Sequence, residues 1–379
     1  MKKSLIAAAL LGTFAASAFA APSVTLYGRI DTSLAYTHLN TDKAGVDSTD
    51  TFSMESGFST GNRWGLKGTE DIGNAKVGFV LESGFNSDDG VSGQSGRLFG
   101  REAQVNVSGA YGTLYAGRLA SIASDSGSIG YLGDVSAFPN GFGIVGTQKG
   151  STGTAYDRYD NTLAYQTPTF GGLQGAIMYS FKGDTKASDT NVANARENSG
   201  DADRYLAAGL RYKAGKAAVV LTGDMTMYSN DVNNVYHDVD NGYSFILGGN
   251  YDFGVAKVFA KATYFDTQVN VIDSFSLIKD ARALSTPQAL ALKGWGAELS
   301  TAVPAFGGTF LGTVGYRDAK DVDNGSYKFK RWNVAVGYSY AFSKRTNVYA
   351  AAGYAQEKAN ELDRKASAAQ AGFGLVHKF

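Results

Sequence analysis

Residues 23–36 read SVTLYGRIDTSLAY, and their alternation decides the fold. Val24, Leu26, Ile30, Leu34 and Tyr36 share one parity, while Thr25, Tyr27, Arg29, Asp31 and Ser33 share the other. Successive side chains of a β-strand point to opposite faces, so this is a strand with one apolar and one wet face. Residues 75–85 repeat the split, with Val77, Phe79, Leu81 and Phe85 against Lys76 and Glu82. So do residues 330–342, where Trp332, Val334, Val336, Tyr338, Tyr340 and Phe342 align.

Sixteen such segments follow one another, beginning near Ser23, Asn62, Ala75, Phe99, Gly112, Arg158, Gly172, Ala202, Lys216, Asn241, Ala256, Lys293, Gly308, Lys330, Arg345 and Ala368. Short glycine-rich or polar turns alternate with long polar stretches at 37–61, 121–157, 183–201, 229–240, 267–292, 318–329 and 356–367. Short turns at one rim and long loops at the other are the pattern of an outer-membrane barrel. In hydrocarbon every backbone N–H and C=O needs a protein partner, so a β structure there must close on itself. A soluble sandwich would keep both sets of connections short. A β-helix would show a fixed repeat period, and none is found. The fold expected is therefore all-β: a 16-stranded antiparallel transmembrane barrel.

Composition narrows function. The 379 residues hold 35 Lys+Arg against 35 Asp+Glu, 48 Gly and no Cys. Absence of cysteine excludes a disulfide scaffold, a zinc finger and a thiol nucleophile. Balanced charge gives no basic patch for nucleic acid. Lys2 and Lys3, an apolar run over 5–16 and Ala18-Phe19-Ala20 read as a secretory signal peptide over 1–20, leaving 21–379 as one barrel domain. Removing Lys2 and Lys3 leaves 33 basic against 35 acidic residues, net −2.

The start APSVTLYGRIDTSLAY, the segments NRWGLKGTEDIG, YGTLYAGR and DRYDNTLAYQTPTFGG, and the end AGFGLVHKF together resemble the general diffusion porins of Gram-negative outer membranes, closest to those of beta-proteobacteria. The resemblance implies a homotrimer with a water-filled pore in each subunit, and a third long loop (about 121–157) folded into the barrel as a constriction. It also implies contact with outer-membrane lipid and lipopolysaccharide. The terminal Phe379 would be an assembly signal read by the outer-membrane assembly machinery. The cargo would be small hydrophilic solutes and ions, with no cofactor and no catalysis.

A narrow lumen with fixed charge filters solutes by size and sign. Parity turns Arg29, Arg63 and Arg158 inward, with Asp160 beside Arg158. The resemblance carries a basic half-ring onto Arg29, Arg63, Arg118 and Arg158, with Arg101 added. Arg101 and Arg118, however, share parity with Val105, Val107, Leu114 and Ala116, so a bulge must re-aim them or they face an interface. Of the loop carboxylates Asp125, Asp134 and Asp157, the resemblance implies that the first two, in the early half of the loop, face the basic wall, joined by Glu82, which parity turns inward. A surplus of wall arginine predicts a mild anion preference. Rival readings are a substrate-specific channel, an outer-membrane enzyme and an adhesin. Residues 141–146 match G-x-G-x-x-G and 57–61 match G-x-S-x-G, but neither has the strand-to-helix context its chemistry needs. His38, His237 and His377 are too scattered for a metal cluster.

Overall fold

The computed structural model describes residues 23–138, 141–146, 158–186, 194–232, 238–269, 271, 276–280 and 290–379. The segment 1–20 read as a signal peptide lies outside them, as do Asp157 and His237.

Described strands run β1 (Ser23–Asn40), β2 (Thr49–Ser56), β3 (Arg63–Asp71), β4 (Ala75–Gly84), β5 (Glu102–Gly109), β6 (Gly112–Ala120), β7 (Arg158–Gln166) and β8 (Leu173–Ser180). They continue with β9 (Arg204–Ala214), β10 (Ala217–Met227), β11 (Gly242–Asp252), β12 (Lys257–Gln268), β13 (Leu292–Ala305), β14 (Gly308–Asp321), β15 (Lys328–Ala341), β16 (Thr346–Ala359) and β17 (Arg364–Lys378). All lie in one antiparallel sheet, and β1 pairs with β17 to close it. The seventeenth strand does not add a wall position. Along one edge of β1, Ser23–Arg29 pair with β3 while Thr32–Leu39 pair with β2. Thus β2 and β3 are one wall strand broken at residues 57–62, and the barrel is closed and sixteen-stranded.

Strand starts fall within four residues of those read from alternation, with three corrections. The stretch 37–61 is not all loop, because β1 runs on to Asn40 and β2 occupies Thr49–Ser56. The loops expected at 318–329 and 356–367 shrink to 322–327 and 360–363, because their ladders continue to Lys320↔Lys328 and Ala359↔Arg364. Beyond the lipid both faces are wet, so apolar alternation ends before the hydrogen-bonded ladder does.

The two faces separate as parity requires. Val24 and Leu26 are each 60% exposed on the outside, whereas Asp31 is fully buried within. Trp332, Val334 and Val336 lie on the outer face of β15. Inside, the described part of the 121–157 loop dips into the barrel. Its Ile122, Ile129, Tyr131, Leu132 and Val135 pack on Ala164, Ala176, Met178, Ala207, Val220 and Ile246 of the wall. Small wall residues leave room for the loop, and each large side chain so buried contributes roughly 1.5–3 kcal/mol. A second infolded segment brings Leu277 and Ile278 against Ala355, Ala359, Ala366 and Ala368.

Candidate functional site: a charged constriction

Where the loop crosses the lumen it leaves a cavity of about 540 Å³. Arg29, Arg63, Arg101, Arg158 and Lys378 line it, with Asp125 as the carboxylate of the lining. Register explains three of these cations. Lys378 of β17 stands opposite Arg29 of β1, and Arg29 opposite Arg63 of β3, so one row carries three positive charges across adjacent strands. Like charges directly opposite destabilise a sheet, so the row is costly unless anions and water answer it. Lys378 shares the inward parity left open by Phe373, Leu375, His377 and Phe379, a signal present in the sequence but not used.

Glu82 is inside, as parity places it, but it does not face the basic wall. It is part of that wall: Arg101 Nε donates to its Oε1 at 2.6 Å, Tyr27 OH donates to its Oε2 at 3.0 Å, and Arg63 Nη1 lies 3.9 Å away. The buried carboxylate offsets part of the arginine repulsion and fixes Arg101. Arg101 precedes β5 in a bend, and this re-aims it into the lumen against the parity of Val105.

Arg118 is not in the constriction. It pairs across β5–β6 with Ala103. The flanking Glu102 and Gln104 turn inward to Ser128 of the infolded loop, which puts Arg118 on the opposite face. There Nη1 meets Asp160 Oδ1 at 2.5 Å and Nε donates to Gly100 O at 2.8 Å. Asp160 also receives Arg97 Nη2 at 3.1 Å and the Thr185 amide and hydroxyl. Asn161 has a left-handed φ of 49° and the β6–β7 register slips beside it. That extra residue takes Asp160 off the parity of the inner wall. Arg158 remains in the cavity, donating to Ser126 Oγ at 3.3 Å.

Of the loop acids, Asp125 lines the cavity with the arginines. Asp134 is instead held by Lys213 at 2.7 Å, away from the basic row, and its carbonyl accepts from Asn250. The described part of the loop is anchored at three places. At its root Glu102 accepts from the Ser128 amide and hydroxyl, both at 2.7 Å. Midway Ser136 donates to Glu298, itself paired with Lys261 at 3.2 Å. At the tip Gln370 accepts from Ile144 N, while Arg331 and Asn333 donate to the carbonyls of Ile144 and Val145.

The broken wall strand supplies the facing rim. Asp31, fully buried, accepts from the amides of Ser59 (2.9 Å) and Thr60 (2.7 Å) and from Tyr349 OH (2.6 Å). Its own amide donates to Asn62 Oδ1. Gly57 adopts φ 72°, where a side chain would be strained, and its amide returns to Asp31 O. The turn held this way presents Thr60, whose Oγ1 accepts from Arg29 Nη1 at 2.6 Å. Phe58 of the turn meets Phe142 of the loop edge-on at 6.0 Å, and Phe142 N donates to Phe58 O. The two glycine-rich stretches that mimic enzyme motifs therefore pack against each other on the inner wall. Sequence reasoning missed this turn because its neighbour β2 was read as loop.

Comparison with known proteins agrees with this geometry. A family model for Gram-negative porins matches residues 7–360. An outer membrane porin protein of Bordetella pertussis is 36% identical, covering 100% of both chains. Among solved structures, the anion-selective porin from Comamonas acidovorans superposes with TM-score 0.63 at 24% identity, over 94% of this chain and 100% of its own. The trimer form of the OmpT outer membrane protein of Vibrio cholerae gives TM-score 0.64 at 15% identity, over 95% and 100%. At these identities the two structures speak to fold alone.

Proposed function

From the premise that this chain belongs to the Gram-negative porin family, and is thus an outer-membrane channel for passive diffusion, we propose that its pore passes small anions in preference to cations. One observation carries the reading: five cations and one carboxylate line the same constriction, with Glu82 shared behind Arg63 and Arg101. In a narrow passage fixed charge is poorly screened, so an anion is drawn in and a cation is repelled. The solute moves down its gradient, and no side chain in the site is arranged for bond chemistry.

The same reading includes a homotrimer seated in outer-membrane lipid and lipopolysaccharide, with Phe379 recognised during assembly. Cleavage after Ala20 precedes insertion. Single-channel recording in a planar bilayer tests it. Three equal closing steps and a reversal potential displaced toward that of chloride are expected in a KCl gradient. A cation-selective reversal potential overturns the anion preference, and single-step closures overturn the trimer.

A further inference from the structure

A filter for inorganic anions needs only the basic row, yet the same cavity carries a second, apolar arc. Ala137 and Phe142 of the infolded loop join Leu311 of β14, Tyr349 of β16 and Val376 of β17 in its lining. This arc is fixed in place. Phe142 is gripped by Phe138 at 4.9 Å, Tyr349 at 5.7 Å and Phe58 at 6.0 Å between ring centroids. Leu311 and Ala137 are only partly covered and pack against that cluster. Phe142, Tyr349 and Val376 are themselves buried, so the apolar face offered to the water column is that of Leu311 and Ala137, which give up part of the burial that would stabilise them. Set next to guanidinium groups, they complement a solute that is charged at one end and apolar at the other.

We propose that the constriction is a transient binding site for amphiphilic organic anions, namely monocarboxylates with a short aliphatic or aromatic body. The inference rests on the anion reading above. The carboxylate sits among Arg29, Arg63 and Arg101, where charge-assisted hydrogen bonds are strongest. The body lies along Ala137 and Leu311, which the buried Phe142 cluster backs. The cavity volume falls in the range of roughly 300–1,000 Å³ usual for small-molecule sites.

Single channels of the full protein in KCl test this, with acetate, butyrate, hexanoate or benzoate added at one concentration and hexanol as a neutral control. Blocking events should lengthen about two- to fourfold for each methylene brought against the apolar arc, giving at least roughly a tenfold gain from acetate to hexanoate. Hexanol should not block. Leu311→Asn should cut the hexanoate events toward those of acetate, and Ala137→Ser offers a second variant on the loop side should the first not assemble. Equal event lengths across the series overturn the proposal while an anion-selective reversal potential leaves the anion reading standing. Hexanol blocking as strongly as hexanoate also overturns it. A cation-selective reversal potential overturns both.

Discussion

The barrel has two unlike halves. From β3 to β8 the strands are 8 to 10 residues long, whereas from β9 to β17 they are 11 to 15. The first half and its entry hold the broken strand at 57–62, the bend before β5 and the extra residue at Asn161. Arg63, Arg101 and Arg158 come from this irregular half, while Leu311, Tyr349 and Val376 of the apolar arc come from the regular one. The longer-stranded half has one slip, in β12–β13 between Phe265 and Gln268, and elsewhere its ladders let side chains point only where parity sends them. In the shorter-stranded half two departures re-aim a charge, Arg101 at the bend before β5 and Asp160 at the slip beside Asn161.

Breaking the regular half should cost the most and change selectivity the least. Arg317 and Glu357 pair at 2.8 Å with both side chains fully buried. Arg317→Met leaves Glu357 buried without its ion-pair partner, held by the Ser276 hydroxyl and the Leu277 amide, and should lower stability by about 2–4 kcal/mol in denaturant unfolding of the refolded barrel, with the reversal potential unmoved. An unaltered unfolding midpoint would show that the pair carries no such weight. Arg63→Gln combined with Arg158→Gln acts on the other half and should show the converse. Stability should change little, while the anion-to-cation permeability ratio falls by roughly twofold or more. A ratio equal to wild type would remove these arginines from the filter.

Asp31→Asn sharpens the contrast at its hinge. Replacing an acceptor of two amides and a hydroxyl should cost about 1–3 kcal/mol and loosen Thr60 beside Arg29. Open-channel current noise should rise, and Asp31→Glu should recover part of the wild-type quietness. Noise identical to wild type in Asp31→Asn would dissociate the turn from the filter.

The smallest effect lies at the second infolded segment. Burial pushes the Asp280 carboxyl up, but Arg364 at 2.8 Å and Lys43 at 3.1 Å outweigh it and hold the group below its ordinary range. A depressed folded-state value means that the tether is fully present above about pH 4 and fades as pH falls through the lowered value. Hydrogen exchange at the Leu277 and Ile278 amides should therefore stay flat from pH 7 to about 4 and open below it, after correction for intrinsic rates. Arg364→Gln should move the onset upward.

Much of the fold was legible because lipid outside and water inside impose a period of two on every span. Arg29 and Arg63 follow from that rule, whereas Arg158 reaches the cavity although the slip beside Asn161 shifts it, with Asp160, off the parity the sequence suggests. What it misses is where the rule itself fails. Arg101 and Asp160 depart from parity by one bend and one bulge, and nothing local in their neighbourhood announces either. Arg118 obeys parity, and only the family resemblance drew it toward the lumen. Asp125 and Asp134 could not be ranked, because the choice depends on Lys213, which lies far along the chain and meets Asp134 only in the closed barrel.

Closure has a consequence for biogenesis. Gly28 and Phe379 exchange both backbone hydrogen bonds, at 3.0 and 3.1 Å, and the Phe379 ring occupies the place where a Gly28 side chain would go. The cylinder is thus fastened where Phe379, just past β17, meets Gly28 of β1. Until β17 and Phe379 have been delivered, the polypeptide is a sheet with two raw margins, and a product lacking them cannot be a smaller version of the finished tube.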